Sequence, residues 1–220
     1  LIPYGVGRLP EDAFAAGGGG GLTCRLRHVA VDPARRTPLR LNSGQLEFRD
    51  EPGAQAVRAA ADQALYIRDL LKSYCDTFQR TPKLFLDRYF AFVLRQVATH
   101  RPELEAALAP FGAMYEVRHW AFSAWLPLPQ AHIDLRAPPL VSVPPADDLL
   151  RADIAFWSGE RFIVVETAAG TASAKRRAAL DRARAAGILV IDSVPDRLAE
   201  DADRFFLDAF PPEFARFWEG

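Results

Sequence analysis

The chain has 220 residues, 50% hydrophobic and 25% charged, with a formal net charge of −1. That is enough apolar material for one domain with a packed core and an appendage, and the balanced charge neither advertises nor excludes a polyanionic partner. No apolar run reaches the roughly 18 to 20 residues of a membrane helix, and "AFAAGGGGGL" lacks the charged start and apolar body of a secretory signal, so no membrane association and a cytoplasmic location are expected.

Residues 1–52 read as a β-rich segment. "LTCRLRHVAV" alternates Leu22, Cys24 and Leu26 with Thr23, Arg25 and Arg27, the period of a half-buried strand. "PLRLNSGQLEF" then sets Leu39 and Leu41, and Leu46 and Phe48, on either side of Asn42-Ser43-Gly44, as in a hairpin. The run Gly17 to Gly21 cannot pack a core and reads as a flexible loop.

Residues 53–220 read as the main body. Val57, Ala61, Ala64, Ile67, Leu71, Tyr74 and Phe78 recur at three and four, the stripe of an amphipathic helix. "LFLDRYFAFVLRQVATH" is apolar nearly all round and predicts a central helix, and "PELEAALAPFG" a short one closed by Gly112. "MYEVRHWAFSAWLPL" reads as an aromatic strand, and "APPLVSVPPADD" as a loop or edge. Strands over 151–157 and 161–168 follow, turning at Ser158-Gly159-Glu160. Thr171 or Ser173 caps a helix that runs to Gly187, and "ILVIDSV" is a short apolar strand of the buried parallel kind. The tail, "DRFFLDAFPPEFARFWEG", is helical and dense in aromatics.

Cys24 and Cys75 are too few and too far apart for a zinc knuckle or a disulfide framework, so two free thiols are expected. The chain begins at Leu1 and its only methionine is Met114, which reads as a processed or trimmed form whose true start is not visible. Of its 27 basic residues all but Lys72, Lys83 and Lys175 are arginine, which suits bidentate phosphate contacts and is also what codon bias leaves.

The chemistry lies in the 151–168 hairpin. With Gly159-Glu160 as its two-residue loop, Ser158 pairs with Arg161, and counting back sets Asp153 opposite Glu166 on one face. Two like charges opposed across a sheet destabilise it unless something positive sits between them. A divalent metal supplies that charge economically: Mg²⁺ or Mn²⁺ takes hard oxygen ligands from one or two carboxylates and keeps waters for a phosphate and a nucleophile. Such chemistry usually wants a third group, often a lysine, two residues after the glutamate on the same face. The residue there is Ala168.

The order helix, strand, strand with Asp153, strand with Glu166, helix, strand resembles the core of the PD-(D/E)XK nuclease superfamily, the restriction-endonuclease-like fold, over roughly residues 84 to 194. That motif has an aspartate on the second core strand and Glu-x-Lys on the third. Asp153 and Glu166 match, and Ala168 does not. Three readings of Ala168 stand: a nuclease whose lysine has been replaced to inactivate it, a lysine that has migrated to Lys175 on the next helix, or a degenerate site.

The resemblance implies a metal-dependent DNA endonuclease, with a role in defence against foreign DNA. Asp153 and Glu166 would bind Mg²⁺ or Mn²⁺, with a third acid from the preceding helices, Glu103 or Glu105 first and Asp87 behind them. Lys175, Arg176, Arg177, Arg182 and Arg184 form a basic helix side able to track a phosphate backbone, or simply a solvated face. His119 and Trp120 could stack on a base, or be half-buried strand residues. Phe205, Phe206, Phe210, Phe214, Phe217 and Trp218 are core residues or a partner-binding tail, and the N-terminal strands are the other candidate surface for a protein partner or homodimer. The competing classes are a catalytically dead module of the same fold that binds nucleic acid or protein, and an unrelated α/β scaffold with incidental hairpin acids.

Overall fold

The computed structural model describes residues 2–6, 8–10, 13–16, 22–24, 29–30, 37–41, 60–136, 148–167, 173–192 and 194–219. The β-rich start forms two small antiparallel pairs: β1 (Ile2–Pro3) with β4 (Val29–Ala30), and β2 (Phe14–Ala16) with β3 (Leu22–Cys24). Ile2, Tyr4, Leu39 and Leu41 join the same hydrophobic core as the rest of the chain. The glycine run and the distal half of the expected 39–48 hairpin lie outside the described residues.

Helix α1 (Ala60–Ser73) buries Ala64, Ile67 and Leu71, spaced as an amphipathic stripe requires, and Cys75 extends the stripe just past its end. Phe78, assigned to that stripe by spacing, is instead 93% exposed, because α1 stops at Ser73 and the next helix starts at Arg80. That helix, α2 (Arg80–Thr99), is the central one and buries Phe85, Leu86, Tyr89, Phe90, Phe92, Val93 and Val97. α3 (Arg101–Leu108) follows, and its end runs into a 3₁₀ helix, Ala109–Met114.

The aromatic stretch read as a strand is a second 3₁₀ helix, Val117–Ser123. Glu116 and His119 cap it reciprocally: the Glu116 side chain takes the backbone N–H of His119, and His119 Nδ1 accepts from Glu116 N at 2.8 Å. Aromatic content favours strands only where a pleated, half-buried surface exists to receive it, and local capping prevails here. The strand comes later, as β5 (Leu128–Asp134), which Pro127 and Pro129 disguise as loop.

β5, β6 (Leu149–Trp157) and β7 (Phe162–Val165) form an antiparallel meander. After the crossover helix α4 (Ala174–Ala185), β8 (Leu189–Ile191) pairs parallel to β7, giving a four-stranded mixed sheet ordered β5-β6-β7-β8. The chain is therefore an α/β protein. Ile154, Ala155, Phe156, Ile163, Val164 and Val165 are all fully buried, so the two central strands are covered on both faces.

Ser173 caps α4 by accepting from Arg176 N at 3.2 Å, and Gly187, at φ +83°, turns the chain out of the helix. The tail forms α5 (Val194–Glu200), α6 (Ala202–Ala209) and α7 (Pro212–Ala215). Its aromatics are not a docking surface for a partner: Phe205, Phe206, Phe210, Phe214, Phe217 and Trp218 are all buried. Phe210 stacks on Phe214 with centroids 4.0 Å apart, and Phe214 meets Trp125 and Phe156 edge-on at 5.4 Å. Ring burial of this extent, about 1.5 to 3 kcal/mol for each side chain, is where α2, β6 and the tail become one unit.

Candidate functional site

The β6–β7 hairpin closes as its spacing predicts. Ser158 N donates to Arg161 O at 3.1 Å, Gly159 takes the left-handed conformation at φ +95°, and Ser158 Oγ accepts from the backbone N–H of Glu160 and Arg161. The register runs Trp157↔Phe162, Phe156↔Ile163, Ala155↔Val164, Ile154↔Val165. One step further, Asp153 stands opposite Glu166, and the two are 7% and 5% exposed.

Each carboxylate has its own support. Asp153 Oδ2 accepts from Thr167 N at 3.0 Å and from Thr167 Oγ1 at 2.7 Å. Glu166 N donates to Ile191 O at 2.8 Å, pinning the end of β7 to β8, while Glu166 Oε2 takes Arg176 Nε at 2.7 Å and a second bond from the other arm of the guanidinium. Arg176 also donates to the carbonyl of Arg151 on β6. Burial above all, and then the charge of Asp153, push the Glu166 carboxyl up to about 7; Arg176 opposes them, and a hydrogen bond to Asp153 reinforces the rise. Arg176 is the counter-ion beside the pair.

The positive charge beside the carboxylates is thus already present as Arg176, in the first turn of α4. Its neighbour Lys175, the sequence candidate for a migrated lysine, is exposed. The difference is one of helix phase: Arg176, Leu180 and Ala183 lie at i, i+4 and i+7, and the burial of Leu180 and Ala183 turns that face inward. Arg177 and Arg182 are exposed, and Arg184 pairs with Asp181 and Asp192 at 2.9 and 3.0 Å. Ala168 lies outside the described residues.

The candidate third acids are not brought to the pair. Glu103 on α3 accepts from Trp218 Nε1 at 3.4 Å and faces His100, Glu105 pairs with Arg101, and Asp87 pairs with Lys72 at 2.8 Å. Among the described residues no three His, Cys, Asp or Glu side chains converge. The physical reason is that the start of α3 faces the C-terminal tail, where Trp218 meets His100 at a tilt with ring centroids 4.7 Å apart. His119 lines a surface hollow with Phe111, Tyr115, Trp120 and Phe122, and its contacts are to Glu116 and the edge of Tyr115 rather than to the carboxylates.

One residue escaped the sequence reading. The pairs Pro129↔Ile154 and Ala131↔Ala152 set Gln130 at the ladder position opposite Asp153, so Gln130, Asp153 and Glu166 occupy one row across β5, β6 and β7. The signal was an amide set between Pro129 and Ala131 in "LPQAHID".

The donors fit a hard divalent cation. The bonds from Thr167 and Arg176 fall on Asp153 Oδ2 and Glu166 Oε2, and among the described residues the buried Gln130 Oε1 has no hydrogen-bond partner. Compared with protein-family models, with curated proteins and with solved structures, the chain matches none. Among the described residues no helix is long and apolar enough to cross a membrane.

Proposed function

We propose that this chain is a Mg²⁺- or Mn²⁺-dependent nuclease of the PD-(D/E)XK kind that hydrolyses phosphodiester bonds in DNA. The observation that carries this reading is the buried pair Asp153 and Glu166, opposed on adjacent strands of a sheet built in the order α2, β5-β6-β7, α4, β8. Asp153 and Glu166 would hold the cation, which supplies an activated water and offsets phosphate charge.

The chain's own residues do the rest. Thr167 fixes the rotamer of Asp153 through its two hydrogen bonds, so that Oδ1 is presented in one orientation. Glu166, its carboxyl raised by burial, would give up its proton to hold a cation, and Arg176, which donates to Glu166, would be placed to offset phosphate charge. The exposed cations Lys175, Arg177 and Arg182 flank that position on α4 and would track the backbone. A cytoplasmic role in defence against foreign DNA goes with this reading by resemblance only.

The Arg176–Glu166 ion pair favours one second reading, a binding module in which the guanidinium has replaced the metal for good. Mn²⁺-dependent cleavage of plasmid and single-stranded DNA separates the two, using the chain and its Ala168→Lys form, each with and without Asp153→Asn. Cleavage abolished by Asp153→Asn supports the nuclease, and cleavage by the lysine form alone identifies Ala168 as the missing third position. No cleavage by either form gives the lead to the binding module.

A further inference from the structure

Gln130 is the only non-glycine among the described residues with a positive φ, +51°, and it lies in the middle of β5. Left-handed backbone is strained for a side chain of this kind and persists where the surrounding structure enforces it, most often at functional sites. The residue is 0% exposed. Its Nε2 donates to Gln79 Oε1 at 3.1 Å, while its Oε1 is buried with no partner among the described residues. A strand needs neither feature, and an orphaned buried acceptor is destabilising. Both fall on the residue whose ladder position faces Asp153.

We propose that Gln130 Oε1 is the third oxygen ligand of the divalent cation held by Asp153 and Glu166, an inference that rests on the metal-dependent reading above. An amide carbonyl is an ordinary ligand for Mg²⁺ and Mn²⁺. A neutral donor adds a ligand without adding charge, which suits a row that already confines two buried carboxyls. Gln79, at the N-terminal cap of α2, accepts the amide N–H and so fixes which end of the side chain is left for the cation, the part an outer-shell partner plays at metal sites.

The test is calorimetric titration of Mn²⁺ into the full chain, with the electron paramagnetic resonance of bound Mn²⁺ as a second readout. Parent, Gln130→Met, Gln130→Asn and Asp153→Asn are compared, each also melted without metal. Gln130→Met removes the orphaned amide at similar volume, so it melts at or above the parent temperature yet binds Mn²⁺ about tenfold or more weakly. Asp153→Asn loses binding altogether. If Gln130→Met does not fold, Gln130→Asn serves: it tolerates the left-handed backbone and withdraws the oxygen by one methylene, and weaker binding is again expected. Parent-like Mn²⁺ affinity in the folded Gln130 variant, with binding lost in Asp153→Asn, overturns the assignment and leaves the metal site standing. A parent that takes up no Mn²⁺ overturns the metal reading and the assignment with it.

Discussion

Glu166 is placed where burial and the charge of Asp153 outweigh the nearby guanidinium, and its carboxyl is pushed up to about 7. In the unfolded chain the same group titrates near 4.3, so between those values the folded state holds more protons than the unfolded one. The stability this group contributes is present below about pH 4 and is lost as pH rises through 7. Urea unfolding of the metal-free chain at pH 5 and pH 8 is expected to show that decline, and Glu166→Gln to flatten it; an unchanged slope would place Glu166 in a more polar setting. Arg176→Met leaves two buried carboxyls without their counter-ion and is expected to lose about 3 kcal/mol at pH 8. In a Glu166→Gln background the same substitution loses clearly less, and the double-mutant cycle measures the coupling.

The opposition of Asp153 and Glu166 was legible because loop length fixes hairpin register and the side-chain period of a strand is two. The identity of the cation was not, since Lys175 and Arg176 differ by about 100° of helix rotation. The information was nonetheless in the chain: the burial of Leu180 and Ala183 selects position 176.

At the scale of elements, the reading worked where pattern and packing agree and failed where local chemistry overrides composition. The α1 stripe, the β6–β7 hairpin, α4 and the parallel β8 follow from periodicity and turn residues. The stretch 117–123 did not, because its aromatic content suits a strand while Glu116 and His119 close a 3₁₀ turn. β5 was hidden by its prolines, and with it Gln130. The tail could be read as core or as docking helix from composition alone; the choice depends on whether α2 leaves rings to receive it. Tyr89 and Phe92 do so, with centroids 5.5 and 6.4 Å from Phe214. Phe214→Ala is therefore expected to lose about 3 to 5 kcal/mol, read as a shift of the chemical-unfolding midpoint, whereas a solvent-facing docking residue would leave it nearly unchanged.

At the scale of the whole molecule, the sheet carries the carboxylates and the tail closes the core behind it. Arg40 ties the N-terminal segment to the tail: its guanidinium donates to the carbonyl of Ser123 at 2.8 Å and to that of Phe217. Glu166 N bonds the carbonyl of Ile191, and Phe156, on the strand that bears Asp153, rests on Phe210 and Phe214. A ribosome that has made the hairpin has therefore not yet made the site. Until Phe210, Phe214 and Phe217 emerge, β6 has no floor and Arg40 lacks its second anchor. Chains cut short before Phe210 would carry every charged residue of the pair and its counter-ion, yet lack the packed sheet that sets them face to face. On the nuclease reading proposed above, assembly order would thus keep unfinished copies inert.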